Sequence, residues 1–277
     1  MEKKENQNML TFGGHLEVLR RMLFRIIAVA GCMAIVVFVF KEFTWQLLLA
    51  PSEHTFSTYK WIEGIINHFG FDFHFENFHV DLIATDLSSQ FMAHITTAIY
   101  LGLLGTSPYI LYELFKFVSP ALYEKEKNAS VKIVVVVYVL FVLGVMMSYY
   151  VIFPISFRFL GTYSVAEKVH STITLNSYIS TFTTLTLLMG VVFQLPVIVL
   201  VLTKLGIITS DLLSQYRKHS FLLIMLLAAI ITPPDLITLV LVTVPLYLLY
   251  EISIKIAKLV EHDRIKTKIN TKRSKHG

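Results

Sequence analysis

Apolar residues gather into six runs separated by polar segments: 22–40, 91–117, 131–155, 178–203, 221–231 and 236–250. The first four reach or exceed the roughly 17–25 residues that a helix needs to cross a bilayer. The last two are shorter, with Arg217, Lys218 and His219 before the fifth and Pro233-Pro234 after it. At about 1.5 Å of rise per residue, this closing hairpin either spans a locally thinned bilayer or leans on its neighbours. Pro108, Pro196 and Pro245 fall inside runs. Each removes a backbone hydrogen bond and is expected to bend its helix. The pattern predicts an all-α integral membrane protein with six transmembrane helices, the last two short.

Composition strengthens this reading. Charged residues make up 16% of the 277 positions and apolar ones 55%, against about 25% charge in a soluble domain. Charge placement then gives an orientation. With the N-terminus inside, 20 of the 24 Lys and Arg fall on the inner segments, the exceptions being Lys41, Lys60, Arg158 and Lys168. Both termini are therefore expected in the cytoplasm. The expected divisions are a cytoplasmic segment 1–21, a membrane domain 22–252 with an outer loop 41–90, and a basic cytoplasmic tail 253–277 that favours anionic lipid over nucleic acid. Val29-Ala30-Gly31-Cys32 resembles a lipoprotein cleavage box, and Arg20-Arg21 an export signal. Both need a polar mature segment next, yet the apolar run continues to Phe40.

The outer loop is acidic, with seven Asp and Glu against Lys41 and Lys60. The alternation from Phe71 to Glu76 reads as strand-like. His68, His74, Glu76, His79 and Asp81 lack zinc-protease spacing, and an insertion packed on the outer face is the expectation, with no metal. The single Cys32 excludes an internal disulfide.

Several blocks carry a family resemblance. They are His15-Leu16-Glu17-Val18-Leu19-Arg20-Arg21-Met22-Leu23, Ala84-Thr85-Asp86, Ser107-Pro108-Tyr109-Ile110-Leu111-Tyr112, Phe117-Val118-Ser119-Pro120-Ala121-Leu122-Tyr123-Glu124-Lys125-Glu126-Lys127, Phe193-Gln194-Leu195-Pro196-Val197, Thr232-Pro233-Pro234-Asp235, and Pro245 through Ser253. In this order and over about 14–259, the chain resembles the TatC family, the multispanning subunit of the twin-arginine protein translocase. The resemblance implies a cupped arrangement of six helices and no enzyme activity or cofactor. It also implies a receptor for paired-arginine signal peptides, energised by the proton-motive force. The implied partners are folded precursor proteins, a small single-span TatA-type subunit and further copies of the chain.

The resemblance places signal-peptide binding on Glu126, with Phe117 and Pro120 shaping the same site and Glu17 and Arg20 on the N-terminal block. Arginine suits such carboxylates, because its planar fork pairs with them bidentately. The N-terminal block departs from the family pattern. The family's Glu falls on Val18, with Glu17 one place earlier, and its second Arg falls on Met22. Successive helical residues point about 100° apart, so either Glu17 substitutes through local rotation or the site relies more on Glu126. Gln194 stands where many members carry a mid-membrane Glu that docks the small subunit. Gln still donates and accepts between helices, and a local hydrogen bond at the Pro196 kink is the competing account. Asp235 on the outer turn fits a family position and also an N-cap; Pro51 matches an outer-loop proline. The alternative function is a small-solute transporter or channel, which would favour charges converging at the midplane.

Overall fold

The computed structural model describes residues 12–70, 72, 78, 80–122, 127–164, 166 and 172–273; the side chains of 12–15, 118–122, 127–132 and 263–273 lie outside the description. Among the described residues the chain is almost wholly helical. In order it forms α1 (Phe12–Val39), α2 (Lys41–Leu49), α3 (Ser57–His68), α4 (Ser89–Leu122), α5 (Lys127–Met147), α6 (Phe153–Thr162), α7 (Leu175–Val192), α8 (Leu195–Leu205), α9 (Ser210–Gln215), α10 (Arg217–Ile231) and α11 (Leu236–Arg273). Two-residue strands β1 (Leu82–Ile83) and β2 (Ile173–Thr174) pair in parallel, Leu82 opposite Ile173. The strand-like stretch 71–76 lies outside the described residues except for Asp72.

Among the described residues four stretches are long and apolar enough to cross a membrane: Leu16–Val39, Ile133–Thr162, Leu175–Leu205 and Leu236–His262. They match the first, third, fourth and sixth apolar runs. Helix α4 has the length, 34 residues, but Thr, Ser, Gly, Tyr and Glu113 dilute its apolar character. Helix α10 has 15 residues. Large apolar side chains on the long helices face outward, among them Leu23, Phe24, Ile27 and Ile35 on α1. A surface of that extent matches a hydrocarbon solvent rather than water.

Two runs are less simple than the pattern suggests. The third passes through a π-helical turn, Ser148–Ile152, before Pro154 opens α6. The fourth is two helices, because Pro196 has no N–H and α8 restarts at Leu195 after the turn at Phe193 and Gln194. Gly206 closes α8 in the left-handed conformation with φ 78°, as helix C-termini commonly require. The sixth run does not stop near Tyr250. Helix α11 continues through the basic segment to Arg273, and Glu261 on this extension takes hydrogen bonds from the Ser210 backbone N–H at 2.9 Å and its hydroxyl at 2.5 Å. Those bonds occupy orphan donors at the start of α9.

The chain divides into two compact units, Met1–Thr44 with His94–Tyr138, and Trp45–Ala93 with Val139–Gly277. In the first, α1 and the body of α4 approach closely: a Cβ on Gly102 would lie 2.7 Å from the Ala34 backbone. Phe38 stacks on His94 with ring centroids 4.1 Å apart.

The second unit holds the larger core, built around Leu48, Tyr59, Phe153, Tyr178, Leu185 and Leu246. Here the loop between the first two apolar runs is tied down by side chains that satisfy backbone carbonyls. Pro154 leaves the Tyr150 carbonyl without its helical donor, and the Thr58 hydroxyl donates to that carbonyl. The Tyr59 hydroxyl donates to Pro51 and Pro154 carbonyls at 3.2 and 3.0 Å. Tyr178 and Tyr149 donate to the Leu48 and Leu47 carbonyls at 2.7 and 2.8 Å. Burial pushes the Tyr59 hydroxyl far above its ordinary range, with Arg158 opposing, so it stays a donor.

Candidate functional site

The N-terminal helix presents its charges as a local cluster. Glu17 lies one turn before both arginines of the pair. Its Oε1 accepts from Arg21 Nε at 2.9 Å, and its Oε2 lies 3.7 Å from Arg20 Nη1. All three side chains are exposed, Glu17 to 47%. Pairs of this kind contribute about 0.3–0.5 kcal/mol, so they exchange readily. Arg20 also sits 5.9 Å from the Phe24 ring centroid. Val18 is exposed and Met22, one turn further along the same face of the helix, is buried.

On α4 of the same unit, Phe117 is 38% exposed. Pro120 lies within α4, but its side chain is outside the description, and Glu126 lies outside the described residues altogether. One turn before Phe117, Glu113 is buried. Its Oε1 accepts from the Tyr109 hydroxyl at 3.2 Å and its Oε2 lies 3.2 Å from Arg25 Nη2. Nothing in the sequence alone pairs Glu113 with Arg25. The available signal was electrostatic: an ionisable group inside an apolar helix needs a partner, and Arg25 is the charge that lies deepest in the first apolar run.

In the second unit, Gln194 occupies the break between α7 and α8. Its backbone carbonyl accepts from Val197 and Ile198 at 2.9 and 3.0 Å. Its side-chain amide lies 3.4 Å from the Gly190 carbonyl, a long hydrogen bond. Asp235 caps α11, accepting from the Thr238 N–H at 2.6 Å. Pro51 is buried in a 3-10 turn, Ala50–Ser52, whose carbonyl takes the Tyr59 hydroxyl. Arg217 pairs with Glu251 at 3.0 Å, and Tyr247 donates to the same carboxylate at 3.3 Å. The structure thus brings Glu17 and Arg20 together and leaves Gln194, Pro51 and Asp235 at separate places in the other unit. Among the described residues no group of three or more His, Cys, Asp and Glu is arranged to hold a metal.

Residues 14–245 match the family described as Sec-independent protein translocase protein (TatC). TatCy of Bacillus subtilis (strain 168) is 41% identical over 177 residues, 64% of this chain and 70% of the relative. TatC of Blattabacterium sp. subsp. Periplaneta americana (strain BPLAN) is 31% identical over 258 residues, 92% of this chain and 97% of the relative. A solved structure of the twin arginine translocase receptor TatC aligns with a TM-score of 0.70 and 29% identity, over 89% of this chain and 99% of that one. With a family match across most of its length and apolar helices that fit a bilayer, this chain belongs to the TatC family of Sec-independent protein translocase proteins, multi-pass components of the bacterial cytoplasmic membrane.

Proposed function

We propose that the chain is the receptor of a twin-arginine translocase. It crosses the membrane six times with both termini in the cytoplasm, binds paired-arginine signal peptides of folded precursors at the cytoplasmic face, and recruits a small TatA-type subunit. The observation that carries this reading is the alignment along 89% of the chain with a structure described as the twin arginine translocase receptor. The sequence supports it with the Phe117-to-Lys127 block, which resembles the family's first cytoplasmic loop and in which Glu126 stands between Lys125 and Lys127.

In this reading Glu126 is the principal acceptor of a guanidinium, with Phe117 and Pro120 forming the adjacent apolar wall. Glu17 and Arg20 stand at the rim, where weak exposed pairs rearrange as a peptide arrives. Gln194 offers an amide at the α7–α8 break to the helix of the small subunit, while Asp235 and Pro51 hold the turns on the opposite side. Several copies of the chain assemble within one translocase. No step needs a cofactor, and transport draws on the proton-motive force.

The test is photocrosslinking of membranes containing the protein to a twin-arginine signal peptide. The expected result is a crosslink to the wild type that falls for Glu126→Ala and for a twin-lysine peptide. A folded wild type that gives no crosslink would overturn the receptor reading and favour a small-solute transporter. A crosslink indifferent to Glu126→Ala would keep the receptor and move its site.

A further inference from the structure

Glu113 is the one charged side chain buried among the described residues, at 5% exposure. An ionised carboxylate at that depth requires a counter-charge and hydrogen bonds. It has both, in Arg25 and Tyr109. The pair is uneven: the Arg25 side chain is 52% exposed. Half of the guanidinium arm is open to exchange while the carboxylate waits behind it.

Three further features bear on what could replace Arg25. Glu113 precedes Phe117 by four residues, so both lie on one face of α4. Oε1 faces Tyr109 and Oε2 faces Arg25. A carboxylate offers about four acceptor positions, which leaves room for an arriving guanidinium before the resident one departs. On α1, Arg25 falls on the same face as Val18 and Met22, at spacings of seven and three. That face is apolar at its first two positions and charged at the third. The charge chemistry it carries sits deeper along the helix than Glu17, which Arg20 and Arg21 already occupy.

Resting on the receptor reading above, we infer that Glu113 is a second arginine subsite of the signal-peptide site, and that Arg25 is its resident guanidinium, displaced by one arginine of the incoming pair. The chemistry selects arginine because the subsite already stabilises a guanidinium, and an ammonium cannot reproduce its planar fork. Two adjacent arginines on an extended peptide point to opposite sides. One therefore turns inward to Glu113, with its long apolar stem along the Phe117 face, and the other is left for Glu126, the acceptor proposed above. The empty receptor never leaves the carboxylate unpaired, and Arg25 acts as an internal competitor that a lone arginine or a lysine displaces poorly.

The test measures binding of fluorescent peptides bearing Arg-Arg, Arg-Lys, Lys-Arg or Lys-Lys to the full-length protein, as wild type, Glu113→Gln, Glu126→Ala, Arg25→Lys and Arg25→Ala. Loss of a hydrogen bond to a charged group corresponds to about tenfold or more in affinity. Glu113→Gln is expected to weaken Arg-Arg binding by at least that factor and to abolish discrimination at one of the two positions. Glu126→Ala abolishes it at the other. Arg25→Lys and Arg25→Ala are expected to bind Arg-Arg several-fold more tightly, because the competitor is weakened or gone. A merely structural pair predicts the opposite sign, weaker binding of all four peptides alike. The inference is overturned if Glu113→Gln keeps both positional preferences, or if Arg25→Lys shows no gain. Should Glu113→Gln fail to fold, Arg25→Lys retains the counter-charge and decides the question by the sign of its effect. A wild type with no preference for Arg-Arg would instead sink the receptor reading itself.

Discussion

Single atoms decide how closely the helices of the second unit approach. A Cβ on Gly144 of α5 would lie 2.5 Å from the Met189 carbonyl oxygen, and one on Gly190 of α7 would lie 2.7 Å from the Phe141 ring. The first obstacle is backbone and cannot rotate away. Small residues of this kind let membrane helices pack backbone to backbone, and the nearby Ser148 and Thr186 hydroxyls pair across the same helices at 3.2 Å. Gly144→Ala is expected to destabilise by about 1–3 kcal/mol through overpacking, read as a lowered thermal midpoint in detergent. Gly31, with open space around it, serves as the control and is expected to tolerate Ala. Tyr59 offers a second residue-scale prediction. Tyr59→Phe leaves two buried carbonyls short of a donor, a loss of about 1–3 kcal/mol. Burial raises the Tyr59 pKa above the ordinary value of 10.0. The folded state therefore holds this proton more tightly than the unfolded one, and the stabilisation is present below about pH 10 and is lost as pH rises further. Wild type is accordingly expected to lose more stability than Tyr59→Phe between pH 9 and pH 11, a range set by roughly one unit on each side of the tyrosine value. Equal losses would assign the alkaline sensitivity to other groups. None of these contacts was legible in the sequence, because neither a glycine in an apolar run nor a tyrosine in the loop names the residue it will meet some 50 to 95 positions away.

Elements were far more legible. Hydrophobic length marked the first four runs as long helices, since a bilayer demands a minimum run of apolar residues and internal hydrogen bonding, but the sixth run, expected to be short, opens the 38-residue α11. Boundaries set by specific chemistry were less so. Proline told correctly that the fourth run would be disturbed at Pro196, but the run is two helices meeting at Gln194, and the π-helical turn before Pro154 had no advance signal. The extension of α11 to Arg273 was missed because basic residues read as a solvated tail, whereas Glu261 binds the start of α9. The candidate site was legible only in part. Glu17 and Phe117 were found as residues, but the pairing of Glu17 with Arg20 and Arg21 and of Glu113 with Arg25 depends on helix rotation and on which helices meet. The α7–α8 break gives the prediction at this scale. Pro196→Ala restores an N–H and is expected to let the two helices run together, lengthening the distance between spin labels at Ser180 and Thr203. A distance unchanged from wild type would show that the turn is held by the surroundings of Gln194 rather than by the proline.

At the scale of the whole molecule, the decisive physical quantity is where charge ends up relative to the bilayer. Each Lys or Arg carried across the membrane core costs energy and works against the positive-inside bias. The cheapest threading therefore keeps the N-terminal block, the segment around Lys125 and Lys127, the α9–α10 junction and the basic end of α11 on one side. Among the described residues four stretches are long and apolar enough to cross. With only those four, both termini would share a side, but α4 would remain uncrossed and the acidic 41–90 segment would lie on the same side as Lys125. Six crossings separate the two, so the side taken by α3 relative to the loop after α4 discriminates between the threadings. Cys32 is exposed and is the sole cysteine, so Cys32→Ser gives a clean background. A cysteine at Lys60 on α3 is expected to react with a membrane-impermeant maleimide in intact spheroplasts. Cysteines at Lys127 and Lys258 are expected to react only after permeabilisation. Reaction at Lys127 from outside together with Lys60 would rule out a crossing by α4, and with it the cytoplasmic position that a signal-peptide receptor requires for Glu126.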